Sequence, residues 1–385
     1  MAQSWVRASY MRGGTSKGLF FREEDLPEPG PERDDLFLAV TGSPDPYGRQ
    51  LDGMGGGVSS LSKVVSVRAS GRTDVDLEYT FGQVAVDRPL VDYSGNCGNL
   101  SSAVGPFAVD EGLLGPVPDG EVTLRILNTN TGKILRAAFA VEAGAAEVSG
   151  DLRIPGVAGS GAPVRLDYLD PGGARTGALL PAGSARTRLR VDGWEFHVSC
   201  VDATNPVVFV DASSLGLTGV ECPARIDDDA DLLALLERLR RAGAAAMGLA
   251  GDDGVVPEAN PKIAIVGRAR DYHDLSGRLV EGADHDLSVR MLSMGRVHRA
   301  VTGTGALCAA VAARVPGSVL DEVGEPGPAG GLRIGSPSGV LTVEADVVVT
   351  PAGPYARSAS LHRTARRLMR GAVAVPQYRS KVQPV

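Results

Sequence analysis

Two stretches of the chain share one unusual pattern, in which a glycine-rich loop opens into a helix of small residues. The first, residues 94–114, carries Cys97, and the second, residues 301–315, has a Gly/Thr loop followed by Ala, Leu, Cys and Val. A helix that begins on bare backbone presents unpaired N–H groups and the positive end of its dipole, an arrangement that holds anions. We expect the two helices to face each other across one site.

Chain length and this repeat together predict two domains. The chain has 385 residues, which exceeds the size at which a single hydrophobic core usually stops growing, and each domain would hold one copy of the repeat. Because few elements are left to the first domain after residue 148, we expect the C-terminal tail to return and complete it. The predicted division is residues 1–149 with 356–385 for the first domain, and residues 150–355 for the second.

Composition and charge exclude several classes of protein. Hydrophobic residues make up 43% of the chain and charged residues 22%, which is ordinary for a folded domain and argues against disorder. The net charge is −7. The one arginine-rich run, residues 363–370, has a helical spacing that predicts a solvated or acid-paired helix face. Nucleic acid is therefore not an expected partner.

Cysteine spacing and the lack of long apolar runs indicate the compartment. The four cysteines lie far apart, and no Cys or His/Asp/Glu cluster has metal-ligand spacing, so we expect neither a metal nor a cofactor. The N-terminal segment lacks the apolar core of a signal peptide, and no stretch approaches the roughly 18 apolar residues of a membrane span. The sequence predicts a reduced, cytoplasmic protein without a membrane partner.

Cys97 differs from the other cysteines in its position. It precedes a predicted helix start, where the positive end of the helix dipole stabilises a thiolate. Cys200, Cys222 and Cys308 are expected to be buried and unreactive, which is the common state of a free cysteine. We therefore select Cys97 as a functional residue.

Two glycine-rich loops near the N-terminus carry groups that suit a carboxylate. Residues 11–18 hold Thr15, Ser16 and Lys17, although a plain turn between strands would have a similar composition. Residues 52–63 hold Ser60 and end in Lys63, directly before an apolar strand. A lysine at that junction either snorkels to the surface or points its ammonium at a ligand.

Two asparagines and one histidine complete the candidates. Asn205 and Asn260 each precede a proline at the edge of an apolar strand, where an asparagine side chain either caps a turn or reaches a ligand. His298 lies just before the second glycine-rich loop and could take part in proton transfer, or be an ordinary loop histidine.

The chain contains six separate motifs, in the order MRGGTSKG, GGVSSLSK, NCGNLSSAVGPFA, NPKIAIV, VTGTGALC and RTARRLM. With these motifs the sequence resembles the 2-methylaconitate cis-trans isomerase family, which also includes 4-oxalomesaconate tautomerase and 3-methylitaconate isomerase. The resemblance covers essentially the whole chain. It implies an α+β fold like that of diaminopimelate epimerase, with two pseudo-symmetric domains. Each would be a curved, mostly antiparallel sheet around a central helix, with the site in the cleft between. Dimers are common in this fold, so the resemblance also allows a homodimer.

The resemblance also implies roles for individual residues. In the isomerase family the counterpart of Lys63 is the proposed base, and Cys97 lies beside the substrate. In the epimerases the second catalytic cysteine falls at Thr302 of this chain, and two residues that hold the amino-acid substrate fall at Ser293 and Met294. Racemisation of an amino acid by two cysteines is therefore not expected.

These features lead us to expect a cofactor-free isomerase that moves a proton allylically in a small unsaturated di- or tricarboxylate, such as 2-methylaconitate or aconitate. Lys63 would remove the proton, for which burial and two positive helix ends would lower its pKa while bound carboxylates would raise it. The alternatives are keto/enol tautomerisation of 4-oxalomesaconate and a non-catalytic carboxylate-binding accessory protein. The expected catalytic residues are Lys63 and Cys97, and the expected substrate-binding residues are Thr15, Ser16, Lys17, Ser60, Asn96, Gly98, Asn99, Leu100, Asn205, Asn260, Met294, His298, Thr302, Gly303, Thr304 and Gly305.

Overall fold

The computed structural model describes residues 3–251, 254–324 and 331–376. Residues 377–385, which the predicted division assigns to the first domain, lie outside the described residues. The elements up to residue 169 are β1 (Gln3–Gly13), β2 (Ser16–Arg22), α1 (Pro31–Thr41), β3 (Lys63–Ala69), β4 (Leu77–Val84), β5 (Val91–Asp92), α2 (Ser101–Asp110), β6 (Gly120–Asn128), β7 (Lys133–Glu142), β8 (Ala145–Ala146) and β9 (Val164–Leu169).

The remaining elements contain the second copy of the repeat and the returning tail. They are β10 (Thr187–Val191), β11 (Trp194–Ala203), β12 (Asn205–Asp211), α3 (Pro223–Asp227), α4 (Ala230–Ala246), β13 (Lys262–Arg268), β14 (Tyr272–His273), β15 (Leu279–Val280), β16 (Leu287–Ser293), β17 (Arg296–Val297), α5 (Gly303–Ala312), α6 (Val319–Val323), β18 (Leu332–Ser336), β19 (Gly339–Thr350), β20 (Gly353–Arg363) and β21 (Ala365–Pro376).

Helix α2 is the centre of the N-terminal half. Its sequence, SSAVGPFAVD, is small or apolar on every side, which is typical of a helix buried all round, and its residues up to Val109 are buried. Strands β1, β3, β7, β9 and β21 contact it, and Phe107 packs against Phe20 with ring centroids 5.5 Å apart. The first copy of the repeat therefore supplies the helix around which the sheet is built.

The sheet around α2 is mostly antiparallel. Strands β1 and β2 form a hairpin, β2 runs parallel to β3, and β3 is antiparallel to β4. Strands β6, β7 and β9 continue with antiparallel pairings. The last strand, β21, pairs with β1 along its whole length, from Gln3↔Pro376 to Gly13↔Ala365. The C-terminal part of the chain returns to this sheet, as we expected.

The same order of pairings recurs around α5 in the other half. Strands β11 and β12 are antiparallel neighbours, β12 runs parallel to β13, and β13 is antiparallel to β16. Helix α5, GTGALCAAVA, is buried throughout. Helix α4 covers the opposite face of this sheet with Leu236 and Leu239. Within the described ranges, no helix combines the length and the apolarity that a membrane span needs.

The two halves are joined through strand β19. It pairs with β18 of the second half and with β20, which in turn pairs with β9. Strand β9 also pairs with β7, so residues 164–169 lie in the N-terminal sheet. The division at residues 149 and 356 stays a prediction.

The helix predicted for residues 363–370 is wrong. These residues end β20 at Arg363 and form the first half of β21, because pairing with β1 outweighs a local arginine spacing that a helix would also satisfy. The pairing with acidic residues is present: Arg367 lies 3.1 Å from a carboxylate oxygen of Asp110 and 3.1 Å from one of Glu111. Strand pairing between distant residues decided the structure of this run.

Candidate active site

The two helix starts meet at a contact between glycines. A Cβ atom added to Gly98 would lie 2.7 Å from the backbone nitrogen of Thr304, and one added to Gly303 would lie 2.9 Å from the carbonyl carbon of Gly98. Both distances are shorter than real Cβ contacts, so only glycine at both positions lets the loops approach this closely. The two repeats face each other, as their sequences predicted.

The same hydrogen bond occurs at both helix starts. The Leu100 N–H donates to the Sγ of Cys97 at 3.5 Å in the turn before α2, and the Gly305 N–H donates to the Oγ1 of Thr302, the N-cap of α5, at 3.2 Å. The accepting side chain stands three positions before its donor in both cases. Within the described part of the chain, four N–H groups at these starts make no hydrogen bond, those of Gly98, Asn99, Gly303 and Thr304. Unpaired N–H groups at two helix starts can bind an anion.

Lys63 is the first residue of β3 and is buried beside these helix starts. Its Nζ donates to the Oε1 of Gln83 on the neighbouring strand and lies 4.9 Å from the centre of the Phe81 ring. Burial lowers the pKa of the Lys63 amine, and the negative charge of a Cys97 thiolate opposes this shift. A buried lysine with a lowered pKa can act as a general base.

His298 is held as a neutral hydrogen-bond donor. Its Nδ1 accepts the Ala300 N–H at 3.2 Å, so in the neutral ring the hydrogen is on Nε2. Burial and the positive charges of Lys63 and Lys262 lower the pKa of His298 to about 3. This histidine can donate to an anion in the cleft, but it cannot serve as a cation at neutral pH.

Three buried polar side chains in the cleft have no partner among the described residues. They are the Oγ of Ser16, the side-chain amide of Asn205 and the Oγ1 of Thr304, each on a residue with 1% of its surface exposed. Buried polar groups in proteins are almost always hydrogen-bonded. These groups are therefore available to a bound ligand.

The expected residues divide into those that line the cleft and those that do not. The former are Ser16, Lys63, Asn96, Cys97, Gly98, Asn99, Asn205, Met294, His298, Thr302, Gly303 and Thr304. The lining atoms enclose about 30 Å³ of free space, and the cleft opens to solvent at its mouth. No acidic side chain of the described residues lines it, so the lining favours an anion.

The other expected residues support the cleft or lie away from it. Thr15 accepts a hydrogen bond from the Asn99 amide at 3.0 Å, and Leu100 and Gly305 donate the hydrogen bonds at the helix starts described above. The Asn260 amide donates to the carbonyl oxygen of Ser94 at 2.8 Å. These residues hold the loops in place and are not part of the lining.

Two of the expected residues, Lys17 and Ser60, do not line the cleft. In both cases the preceding residue, a serine, lines it instead. Ser16 faces the cleft, and Lys17, the next residue of β2, places its Nζ 5.6 Å from the centre of the Tyr10 ring. Side chains alternate between the two faces of a strand, so Lys17 is directed away. Ser59 lines the cleft where Ser60 was expected.

Sequence analysis missed a second buried lysine, Lys262. It is the first residue of β13, and its Nζ donates to the carbonyl oxygen of Ala259 at 3.0 Å and to the Oγ of Ser293 at 3.5 Å. Burial and the positive charge of Lys63 lower the pKa of Lys262 to about 8. The sequence signal for this second lysine was a local one. Lys63 and Lys262 both stand where an apolar run begins, in SKVVSV and in PKIAIV.

The other cysteines are only partly as expected. Cys200 and Cys308 are buried, and burial raises the pKa of the Cys200 thiol to about 12. Cys222 is exposed, so its predicted burial is wrong. It immediately precedes the short helix α3 at the surface, a position that its neighbours in the sequence do not reveal.

Solved structures confirm the expected fold. The crystal structure of methylitaconate-delta-isomerase superposes with a TM-score of 0.77 at 39% identity, covering 100% of both chains. A hydroxyproline epimerase from Agrobacterium vitis shares the fold at 13% identity, with a TM-score of 0.56 over 96% of this chain and 92% of the other. The chain is an α+β protein of the diaminopimelate epimerase-like fold, with its cleft where the two central helices begin.

The chain belongs to the PrpF protein family, whose model matches residues 3–376. It is 42% identical to the 2-methyl-aconitate isomerase of Shewanella oneidensis over 97% of both chains. It is also 42% identical to the 3-methylitaconate isomerase of Eubacterium barkeri, over 95% of this chain and 96% of the other. The 4-oxalomesaconate tautomerase of Pseudomonas putida is 39% identical over 97% of both chains. The chain is an isomerase, as the resemblance implied.

Proposed function

We propose that this protein is a cofactor-free isomerase that shifts a proton allylically in a small unsaturated di- or tricarboxylate, such as 2-methylaconitate or aconitate. The observation that carries the proposal is the contact of the two helix starts. Their four unpaired N–H groups share one cleft with Lys63 and Cys97, and no acidic side chain in the described ranges lines it. The relatives named for isomerases of unsaturated carboxylates support the substrate class.

In the proposed reaction the neutral amine of Lys63 removes a proton from the carbon next to the double bond. The electron pair of the broken C–H bond spreads through the conjugated system onto a carboxylate. The N–H groups of Gly98 and Gly303, and the Nε2–H of His298, are donors that could stabilise this developing charge without rearranging. The Lys63 ammonium returns the proton at the other end of the system or after bond rotation. If the Cys97 thiol delivers a proton instead, the Lys63 ammonium then reprotonates the Cys97 thiolate, so the amine and the thiol are both restored.

Keto/enol tautomerisation of 4-oxalomesaconate is the second candidate. It needs the same base and the same anion sites, and the Pseudomonas putida tautomerase is nearly as similar to this chain as the isomerases are. A non-catalytic carboxylate-binding role is less well supported, because binding alone has no use for an amine with a lowered pKa beside a thiol.

The test is turnover in deuterated water. Protein is incubated with 2-methylaconitate, aconitate, methylitaconate and oxalomesaconate, and both product formation and deuterium uptake are followed by proton NMR. We expect turnover with label uptake for at least one of them. Binding without any exchange would leave only the accessory role.

Variants at two lysines then test the assignment of the base. Lys63→Ala should lower turnover by about 10³-fold, since general-base catalysis typically contributes 10²–10⁴-fold. Lys133 is matched to it in side chain but pairs with Asp170 at the surface, so Lys133→Ala should react like the wild type. Ordinary turnover and label uptake in Lys63→Ala would refute Lys63 as the base.

We also propose that the enzyme works in the cytoplasm. The four cysteines are free thiols in the structure. Free thiols persist in reducing compartments, whereas oxidising compartments favour their pairing. Fractionation of the source cells with an antibody to the protein would test this, and recovery from an extracytoplasmic fraction would contradict it.

A further inference from the structure

The strand pairings relate Lys262 to Lys63 by an internal pseudo-symmetry. Leu19 of β2 pairs with Val64 of β3, and Val208 of β12 pairs with Ile263 of β13, in parallel register in both cases. Lys63 directly precedes Val64, and Lys262 directly precedes Ile263, so the two lysines stand at equivalent positions. The structural repeat therefore extends beyond the two helices and places a lysine at the same position in both halves.

The hydrogen-bond partners of the two lysines obey the same relation. Lys63 faces Gln83 across the antiparallel pair of β3 and β4 and donates to its side chain. The register of β13 with β16, in which Ile263 pairs with Leu292, places Lys262 opposite Ser293, and Lys262 donates to that side chain. Two equivalent strand starts thus deliver two buried amines to one cleft from opposite halves of the molecule.

The two lysines nevertheless differ in their surroundings. Among the residues that the structure describes, Lys63 has one oxygen acceptor, whereas Lys262 has two, the Ala259 carbonyl and the Ser293 hydroxyl. An ammonium has three N–H donors, so these two acceptors favour the charged form of Lys262 and leave one donor for a ligand. Lys262 is therefore suited to bind a negative charge, and Lys63 is better suited to accept a proton.

We propose that Lys262 is a second catalytic lysine, whose ammonium binds the substrate carboxylate that takes up charge in the reaction, while Lys63 acts as the base. This inference rests on the function proposed above. The proton balance is unchanged, because Lys262 neither gains nor loses a proton during turnover. The carboxylate is more negative in the transition state than in the bound substrate. The Lys262 ammonium therefore attracts the transition state more strongly and stabilises it more than the bound substrate.

A charged Lys262 would also oppose protonation of Lys63. The positive charge of Lys63 lowers the pKa of Lys262, and because coupling between two sites is reciprocal, a charged Lys262 disfavours a second charge on Lys63. The other titratable or charged groups that bear on this pair are Cys97, Asp92, Arg240 and His298. The negative charges of Cys97 and Asp92 raise the pKa of Lys262, each by less than the charge of Lys63 lowers it, and Arg240 lowers it further.

The test compares two substitutions at Lys262 on the substrate that the wild type turns over. Lys262→Met removes the charge and should lower kcat/KM by about 10²–10³-fold, the size of the loss when one preorganised donor to a developing charge is removed. Lys262→Arg keeps a permanent charge and should stay within about tenfold of the wild type. Lys63→Arg keeps charge but cannot act as a base, so it should be inactive.

The pH profile provides a readout that a structural role would not affect. The rise of kcat/KM with pH reports the pKa of the base in the free enzyme. In Lys262→Met that pKa should shift upward by about 1 unit or more, because the repulsion has been removed. Lys262→Arg should retain the wild-type value, and Lys133→Met serves as the matched control for loss of a lysine.

Each outcome decides between the proposals. If the wild type turns over no substrate, the proposed function fails first. If it is active and Lys262→Met keeps both its kcat/KM and its pH profile, the role of Lys262 is refuted. An active Lys63→Arg together with an inactive Lys262→Arg would reverse the two assignments and also overturn this inference. Circular dichroism and thermal melts of each variant separate loss of activity from loss of fold.

Discussion

The two halves of the molecule have the same framework and carry different chemistry. Equivalent positions at the starts of β2 and β12 hold Ser16 and Asn205, and those at the starts of β3 and β13 hold two lysines. At the helix starts, however, the first half has a thiol, Cys97, where the second half has a hydroxyl, Thr302. Both side chains accept a hydrogen bond from the backbone N–H three positions further along the chain.

Under the proposed mechanism, one repeated scaffold divides the reaction between its halves. The first half supplies the groups suited to proton transfer, a lysine with one acceptor and a thiol. The second half supplies groups suited to binding charge, including a lysine with two acceptors and the neutral His298. The likeness of the halves comes from the backbone, and the division of roles comes from a few side chains.

The largest combined effect on stability and activity should come from separating the two halves at their glycine contact. Gly98→Ala places a Cβ 2.7 Å from the Thr304 nitrogen, so the helix starts must move apart. We expect unfolding free energy to fall by about 1–3 kcal/mol and kcat/KM to fall by about 10²-fold, because small displacements of catalytic groups are costly. Gly303→Ala should behave alike. Chemical denaturation and steady-state kinetics measure both effects.

A matched glycine provides the control for that prediction. An added Cβ at Gly71 meets nothing within 4 Å, so Gly71→Ala should retain activity and lose little stability. Wild-type kinetics in Gly98→Ala would mean that close approach of the halves is not required.

A smaller effect should distinguish the thiol from the hydroxyl. Cys97→Ala should lower kcat/KM by about 10–10²-fold, as expected for loss of a group that assists proton transfer. Thr302→Ala removes a hydroxyl cap and should lower the unfolding free energy by about 1 kcal/mol, with kcat/KM within about tenfold of the wild type. The kinetics and denaturation of both variants measure the contrast. Equal losses of kcat/KM in Cys97→Ala and Thr302→Ala would show that the thiol and the hydroxyl do not have different roles in the reaction.

A third contrast concerns the pH dependence of stability. Lys262 has a folded-state pKa of about 8 against an ordinary value of 10.5, so the unfolded chain binds more protons between these values. Its burial is therefore fully unfavourable below about pH 8, and the cost disappears as the pH rises to 10.5. Lys262→Met should be more stable than the wild type at pH 7 by about 1–3 kcal/mol.

Melting temperatures measured between pH 7 and pH 10 test this sign. The advantage of Lys262→Met should shrink steadily as the pH rises. Lys133→Met, which removes a half-buried surface lysine, should show no such trend. A constant difference across that range would show that the charge of Lys262 is not the cause.

The candidate site could be predicted from sequence wherever a local pattern carries the signal. Cys97 and Lys63 each stand at a junction between a glycine-rich loop and a regular element, and both line the cleft. Lys262 was missed because a single lysine before an apolar strand is a weak pattern by itself. Its importance follows from register, which joins β13 to β12 and to β16. Residues 363–370 were misread for the same reason, since β1 decides their structure.

The amino-acid sequence by itself determined that two small-residue helices begin on bare backbone, because glycine and the absence of bulky side chains are local properties. Only the tertiary structure decided that Gly98 touches Gly303 and that two lysines enter one cleft. These relations join residues far apart in the chain, and they arise when the sheets pair and the two buried helices pack between them. Local propensity carries no information about such pairings.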